Sequence, residues 1–239
     1  GKRVLGRSGR FNGDDLVPIL LARPEASNHL CTKLVKFFVN DSPGDPSAET
    51  RSVIRGLART MMRSKYQLKP VLRQLFRSRY FYDSANRSAV VKSPIQLIVQ
   101  GVRTFQLPTR DIDSLLDAAS LMGQDILQPP SVKGWDGGRS WINTSTLFVR
   151  QNLMVYLLTG RRPDRSSWKI DETPFDARHL INHLQRADQY DGDEVIDHLL
   201  RLGLGNQPHP QRLEVLRALL RNTGNRIDND RLIACLRSE

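Results

Sequence analysis

Between Pro129 and Asn152 the chain gathers its densest set of residues able to do chemistry: Lys133, Trp135, Asp136, Arg139, Trp141 and Arg150, set among Gly134, Gly137 and Gly138. Tryptophan faces beside glycines make a flat surface on which a sugar ring can stack, and Lys133, Asp136 and Arg139 would supply hydrogen bonds. The structural reading is that both indoles plug a helical core while the glycines let the backbone pass closely. The residue pattern favours the plug and leaves the stacking surface open. The stretch lacks the spacing and the terminal Lys-Ser/Thr of a phosphate-cradling P-loop.

A second concentration is ionic. Residues 50–82 hold Arg51, Arg55, Arg59, Arg63, Lys65, Lys69, Arg73, Arg77 and Arg79 and no acidic residue. At 100° per residue the first four arginines lie opposite Val53, Ile54, Leu57, Ala58 and Met61. Such a surface would hold a sulfated polysaccharide, an acidic protein partner or nucleic acid. It is equally what a plain solvated helix face looks like. A further partner is internal, because residues 164–198 carry a local excess of acidic side chains. No zinc-finger spacing or RNA-binding fingerprint accompanies the basic stretch, which disfavours nucleic acid.

Other candidates for catalysis are thin. His179 and His183 are four apart, a spacing that shares one helix face, yet no His-Glu-x-x-His pattern surrounds them, so no metal site is assigned. Lys92 and Ser93 could act as base and nucleophile, but a serine before Pro94 is explained by helix capping. No Gly-x-Ser-x-Gly elbow exists. Asp125, Asp136 and Arg150 could form a buried ion pair in any combination, structural by default. No cofactor is assigned, and the balance leans away from an enzyme.

These residues must be positioned by helices. At 239 residues the chain can bury a real core as one large or two small domains. Its net charge of +11 comes with 28 arginines against eight lysines, a bias toward planar, bidentate contacts with carboxylate, sulfate or phosphate. No apolar run is long enough to span a membrane. Two cysteines make no disulfide framework, and Cys31 shares a helical face with Leu34 and Phe38, so it reads as a buried thiol. The chain begins at Gly1 and is read as a fragment or processed product, so its lack of a leader says nothing of compartment.

Residues 2–13 read as a loop or short hairpin. Hydrophobic periodicity and caps then predict helices from Asn12/Gly13 through Leu21, Pro24 to Asn40, Ala48 to Ser64, Leu68 to Arg79, Pro94 to Phe105 and Asp111 to Met122. Pro129 and Pro130 end that series. Asn143, Thr144 or Ser145 caps a nearly all-apolar helix, Leu147 to Leu158, read as central and buried. Residues 161–174 form a polar connector, placing a boundary between a 1–163 core and a 164–239 subdomain. Helices over 176–188, 193–203, 209–222 and 228–237 complete an all-α, multi-helix globular bundle with a Gly/Trp-rich loop and little or no β structure.

The string Val132-Lys133-Gly134-Trp135-x-Gly137-Gly138-x-x-Trp141-Ile142, followed by Asn143 to Leu147, Arg150 and Asn152, resembles the C-terminal signature of the bacterial domain-of-unknown-function 1800 (DUF1800) family. Val4-Leu5-Gly6 with Phe11 to Asp15, Lys33-Leu34 with Phe37 to Val39, and Val91 to Pro94 fit the same family. The resemblance covers roughly residues 1–160 and corresponds to the C-terminal half of the family. It implies a helical, usually exported protein, often encoded beside a sulfatase-like partner family. No biochemical activity is established for that family. Its pattern usually has proline at position 136, which counts against a catalytic role for Asp136. The expectation is therefore an exported cell-envelope binding or scaffold protein that contacts a protein partner or an anionic glycan through Arg55, Arg59 and Arg63. A hydrolase whose site is completed by the absent N-terminal half is the alternative, and a nucleic-acid-binding module the second alternative.

Overall fold

The computed structural model describes residues 1–41, 46–86, 89–185, 190–203, 210–220 and 227–238. The chain forms two compact units, Gly1–Val90 and Val91–Glu239. The connector at 161–174, where the sequence places a boundary, lies inside the second unit.

The first unit opens with a hairpin of β1 (Lys2–Val4) and β2 (Arg7–Gly9), paired antiparallel with Val4 opposite Arg7. Its two-residue turn takes Leu5 and Gly6 at φ 46° and 84°, the left-handed pair that matches strand twist in tight hairpins. Asn12 caps α1 (Gly13–Leu21): its Oδ1 accepts from Asp15 N–H at 3.0 Å, and Asp15 Oδ2 accepts from Asn12 N–H at 2.9 Å. Only Ile19 of the expected α1 stripe is buried. Leu16 and Leu20 are exposed.

Helix α2 (Pro24–Phe38) starts on proline, whose missing N–H costs nothing at that position. Helix α3 (Ala48–Arg63) is capped by Ser47, and α4 (Leu68–Phe76) follows. The expected extension of α4 to Arg79 is a turn instead. Cys31 and Val35 of α2 with Val39 just beyond it, Ile54, Leu57, Ala58 and Met61 of α3, and Val71 and Leu75 of α4 make one core. The α3 stripe is the one its sequence predicts, and Cys31 is fully buried. Leu30 and Phe38 sit at the edge of the α2 face rather than in it.

The second unit contains α5 (Pro94–Thr104), α6 (Ile112–Leu121), α7 (Thr144–Thr159), α8 (Gly192–Gly203), α9 (Pro210–Leu220) and α10 (Asn229–Ser238). Ser93 and Gln96 form a capping box on α5, and Asp111 caps α6 by accepting from Ser114 N–H at 2.9 Å. The buried apolar residues of α7, Leu153, Tyr156, Leu157 and Leu158, all lie in its second half. Leu147 and Phe148 in its first turns are exposed, against the expectation of a helix buried throughout. The expected helix over 176–188 is a pair of 3-10 turns, 177–180 and 182–184, with residues 186–189 outside the described set.

The polar connector is a strap laid on α6. Trp168 is 2% exposed, donates from Nε1 to Asp117 Oδ2 at 3.0 Å and lies with its ring 5.2 Å from that of Tyr156. Ser167 Oγ donates to the same carboxylate at 2.6 Å, and Lys169 N–H donates to Ser114 Oγ at 2.9 Å. Asn229 then clips α10 to the strap's end, accepting from Ala177 N–H at 2.7 Å and donating to Phe175 O at 2.8 Å. Among the described residues no helix is long and apolar enough to cross a membrane.

Candidate functional site

The glycine–tryptophan loop is held by its own backbone before anything binds to it. Gly134, Gly137 and Gly138 take φ of 86°, 77° and 58°. A Cβ added at Gly134 or Gly137 would meet nothing within 4 Å, so conformation rather than crowding requires glycine there. Gly137, with ψ −173°, occupies a region essentially closed to other residues. Ser140 Oγ donates to Gly137 O at 2.7 Å, and Gly134 N–H donates to Ser131 O at 3.0 Å.

Thr146 ties this loop to α7. Its Oγ1 donates to Trp141 O at 2.9 Å and accepts from Asn143 N–H at 2.9 Å, while Asn143 Oδ1 accepts from Thr146 N–H at 2.9 Å. The cap that starts α7 therefore also fixes where Trp141 sits. Trp141 is buried and Trp135 is partly exposed. Both wall a cleft of about 660 Å³, together with the end of α6 (Ser120 to Met122) and the start of α7 (Asn143 to Thr146). The two tryptophans thus divide the roles the sequence left open, Trp141 as plug and Trp135 as accessible face.

The charged residues of the loop do not converge on that cleft. Asp136 lines it and pairs with Lys133 at 3.4 Å, both largely exposed. Lys133, Arg139 and Arg150 are not among its walls. Arg150 is half-buried and donates from Nη2 to Lys92 O at 2.8 Å, so no ion pair joins it to Asp125 or Asp136. Burial lowers the pKa of both Arg150 and Lys92. Ser93 accepts from Gln96 N–H at 3.3 Å, the capping role its position suggests.

In the first unit all nine basic residues of 50–82 are exposed, and none forms an ion pair among the described residues. Arg55 and Arg59 line a groove of about 380 Å³ with Pro24, Ser27 and Asn28 of α2 and Met62 of α3. Four acidic residues of 164–198 pair with arginines of the same unit: Asp171 with Arg110, Asp176 with Arg178, Asp193 with Arg217 and Asp197 with Arg201.

Two features escaped the sequence reading. Arg110 is 1% exposed and acts as an internal clamp. Its Nε donates to Leu157 O at 3.0 Å and its Nη1 to Thr173 O at 2.6 Å, with Asp171 Oδ1 at 3.2 Å. Nothing in the local pattern Pro108-Thr109-Arg110 marks it. His183 packs its ring against His198, 4.6 Å between centroids, rather than aligning with His179. His179 Nδ1 instead meets Asp176 O. No group of three potential metal ligands gathers among the described residues.

The model of a family described as "Protein of unknown function (DUF1800)" matches residues 1–237, so the match extends through the helices beyond residue 160 as well. No curated protein and no solved structure matches the chain.

Proposed function

The chain belongs to the DUF1800 family, and from that premise we propose that it is a binding protein of the cell envelope whose arginine face takes an anionic polysaccharide. One observation carries the reading: nine cations between Arg51 and Arg79 stand exposed, without an ion pair among the described residues. A solvated helix face in a soluble protein ordinarily interleaves both signs, which keeps the local field small. Here the field is single-signed, and Arg51, Arg55, Arg59 and Arg63 repeat every helical turn. Over twelve residues that row spans about 18 Å, a few sugar residues of an extended polymer.

Guanidinium suits the ligand class. It presents a planar fork that meets sulfate or carboxylate oxygens in pairs, where lysine offers a point charge. The groove beside Arg55 and Arg59 gives that row a concave edge. Export and envelope location enter the proposal through the family resemblance alone, and cell fractionation tests them.

The test is affinity for a heparin-like polymer at low and moderate salt. The wild type binds, and binding weakens steeply as salt screens the exposed charges. Arg55→Ala/Arg59→Ala/Arg63→Ala, melting like wild type, loses most of the affinity. No wild-type binding, or a triple variant that binds as well as wild type, overturns the glycan reading. If an acidic protein partner is captured by wild type but not by the triple variant, while the polymer fails to compete, the same face serves a protein.

A further inference from the structure

We propose that the cleft between the end of α6 and the start of α7 is a binding site for an uncharged saccharide, with Trp135 as the platform for a pyranose ring. This site lies in the second unit and stands whether or not the arginine face of the first unit binds a polymer.

The lining decides the chemistry. Among the described residues Asp136 is the one charged member of the cleft's wall, and it is already paired with Lys133. An anionic ligand would meet a carboxylate and no cation. The start of α7 would favour an anion by its dipole, but Asn143 already occupies the Thr146 N–H. What the wall offers in number is neutral hydrogen-bonding capacity. Ser120, Thr144 and Ser145 line it, and their hydroxyls make no hydrogen bond among the described residues. Asn143 spends its Oδ1 on the cap, and its Nδ2 donates to no described partner. Uncommitted hydroxyls and an amide beside a partly exposed indole are the pairing a sugar needs: hydroxyl groups at the rim, apolar C–H face on the ring plane.

The size and rigidity agree. A volume of about 660 Å³ sits inside the ~300–1,000 Å³ that small-molecule sites occupy. The platform is pre-formed, because three left-handed glycines, the Ser140–Gly137 bond and the Thr146–Trp141 bond set its backbone. A ligand would therefore not have to order the loop, which removes one of the ordinary costs of binding. The exposed apolar residues nearby do not compete as an explanation. Leu127 and Val132 are outside the wall, and among the described residues Leu121 and Pro130 are its exposed aliphatic members.

The experiment uses the full chain labelled with 15N, observing the three indole Nε1–H signals, with that of Trp135 assigned from Trp135→Phe. The probes are cellotetraose, maltotetraose and chitotetraose, each taken to ~10 mM, which reaches the weak end of the affinity scale. The expected result is a saturable shift of the Trp135 signal with at least one probe, unchanged between ~0.05 and ~0.5 M salt because the ligand carries no charge for salt to screen. In the two Trp135 variants, which lack that signal, affinity is followed at the backbone amide of Thr144: Trp135→Phe keeps most of it and Trp135→Ala lowers it about tenfold or more, while Ser145→Ala lowers it less, all three melting like wild type. No shift with any probe overturns the proposal. So does an affinity, read at the Thr144 amide, that Trp135→Ala leaves intact, or a Trp135 shift abolished by Arg55→Ala/Arg59→Ala/Arg63→Ala. A shift that salt removes also overturns it, since that would make the ligand's charge, not its ring, the recognised feature.

Discussion

Replacing Arg110 by methionine tests the internal clamp directly. Leu157 sits in the last turn of α7, where helix carbonyls have no partner within the helix. Arg110 supplies one at 3.0 Å and adds its positive charge at the helix's negative end. The same guanidinium holds Thr173 O and Asp171 on the strap. Methionine fills similar volume but donates nothing, so Leu157 O loses its donor in buried surroundings and Thr173 O loses one at a part-buried bond on an otherwise exposed residue. A buried carbonyl left unpaired costs ~1–3 kcal/mol, the part-buried one costs less because water reaches it, and Asp171 loses its charged partner as well. Part is returned, because Arg110 Nη2 is already buried without a partner and because desolvating a guanidinium is itself unfavourable. The net expectation is a loss of about 3 kcal/mol. For a domain near the size of the second unit this lowers Tm by ~6–12 °C.

The assay is far-UV circular dichroism and calorimetric melting of the full chain. Arg110→Lys should fall between wild type and Arg110→Met, since one ammonium cannot reproduce a fork that serves two carbonyls and a carboxylate. A methionine variant melting within ~2 °C of wild type would refute the reasoning. It would mean the strap is held by Trp168 and Lys169 and that Arg110 is a passenger. Arg110→Lys indistinguishable from wild type would refute the narrower claim about fork geometry.

Three other outcomes follow from single positions. Gly160 ends α7 at φ 68°, and a Cβ there would sit 1.6 Å from Asp171 O, so Gly160→Ala should cost more than Arg110→Met; a variant melting like wild type would show that the strap does not pass so close. The hydrogen bond from Lys169, and next those from Ser114, hold the Asp111 carboxyl down to about 2. Its contribution to stability is therefore complete above the unfolded value near ~3.9 and is lost as pH falls toward the folded value. Lys169→Met should raise the Asp111 midpoint followed by carboxyl 13C NMR, and an unmoved midpoint would exclude Lys169 as the chief cause. Burial pushes the Cys31 thiol up to about 11, so it should resist aromatic disulfide reagents at mildly alkaline pH until the chain is denatured; prompt native-state reaction would contradict its burial.

Much of this fold was legible because its determinants are local. Asn12, Ser93 and Asp111 each precede a helix and cap it, and α3 carries an unbroken apolar stripe opposite its arginines. The reading failed where local pattern is degenerate. Ala177, Leu180 and Ile181 are buried, yet spacings of three and four over one turn do not separate a 3-10 turn from an α-helix. Helix α7 is largely apolar, but hydropathy alone does not say that a neighbour covers its first turns, and among the described residues none covers Leu147 or Phe148. The connector at 161–174 was read from its charge, when its one indole, Trp168, is what anchors it.

The candidate sites show the same division. Exposure of the arginine row followed from helical geometry, so the sequence could name its members. The cleft could not be composed that way, because its hydroxyls come from the end of α6 and the start of α7, about twenty residues apart along the chain. Glycine–tryptophan composition pointed to the loop, and only tertiary structure separated Trp141, buried, from Trp135, accessible.

The two proposed surfaces differ in electrostatics, and that difference makes their roles separable. If one polysaccharide with both anionic and neutral sugars engages both, its affinity is a product of a salt-sensitive and a salt-insensitive contact. Removing either would then expose the other, and linkage through a shared polymer would raise affinity beyond each contact alone. The effects of Arg55→Ala/Arg59→Ala/Arg63→Ala and of Trp135→Ala on polymer binding, measured singly and together, decide the point. Independent ligands leave the tryptophan substitution without effect on a heparin-like polymer. A shared ligand makes both substitutions costly, and at high salt the tryptophan contribution survives while the arginine contribution fades. That survival cannot come from exposed charge, so observing it would assign the remaining affinity to the ring-binding cleft.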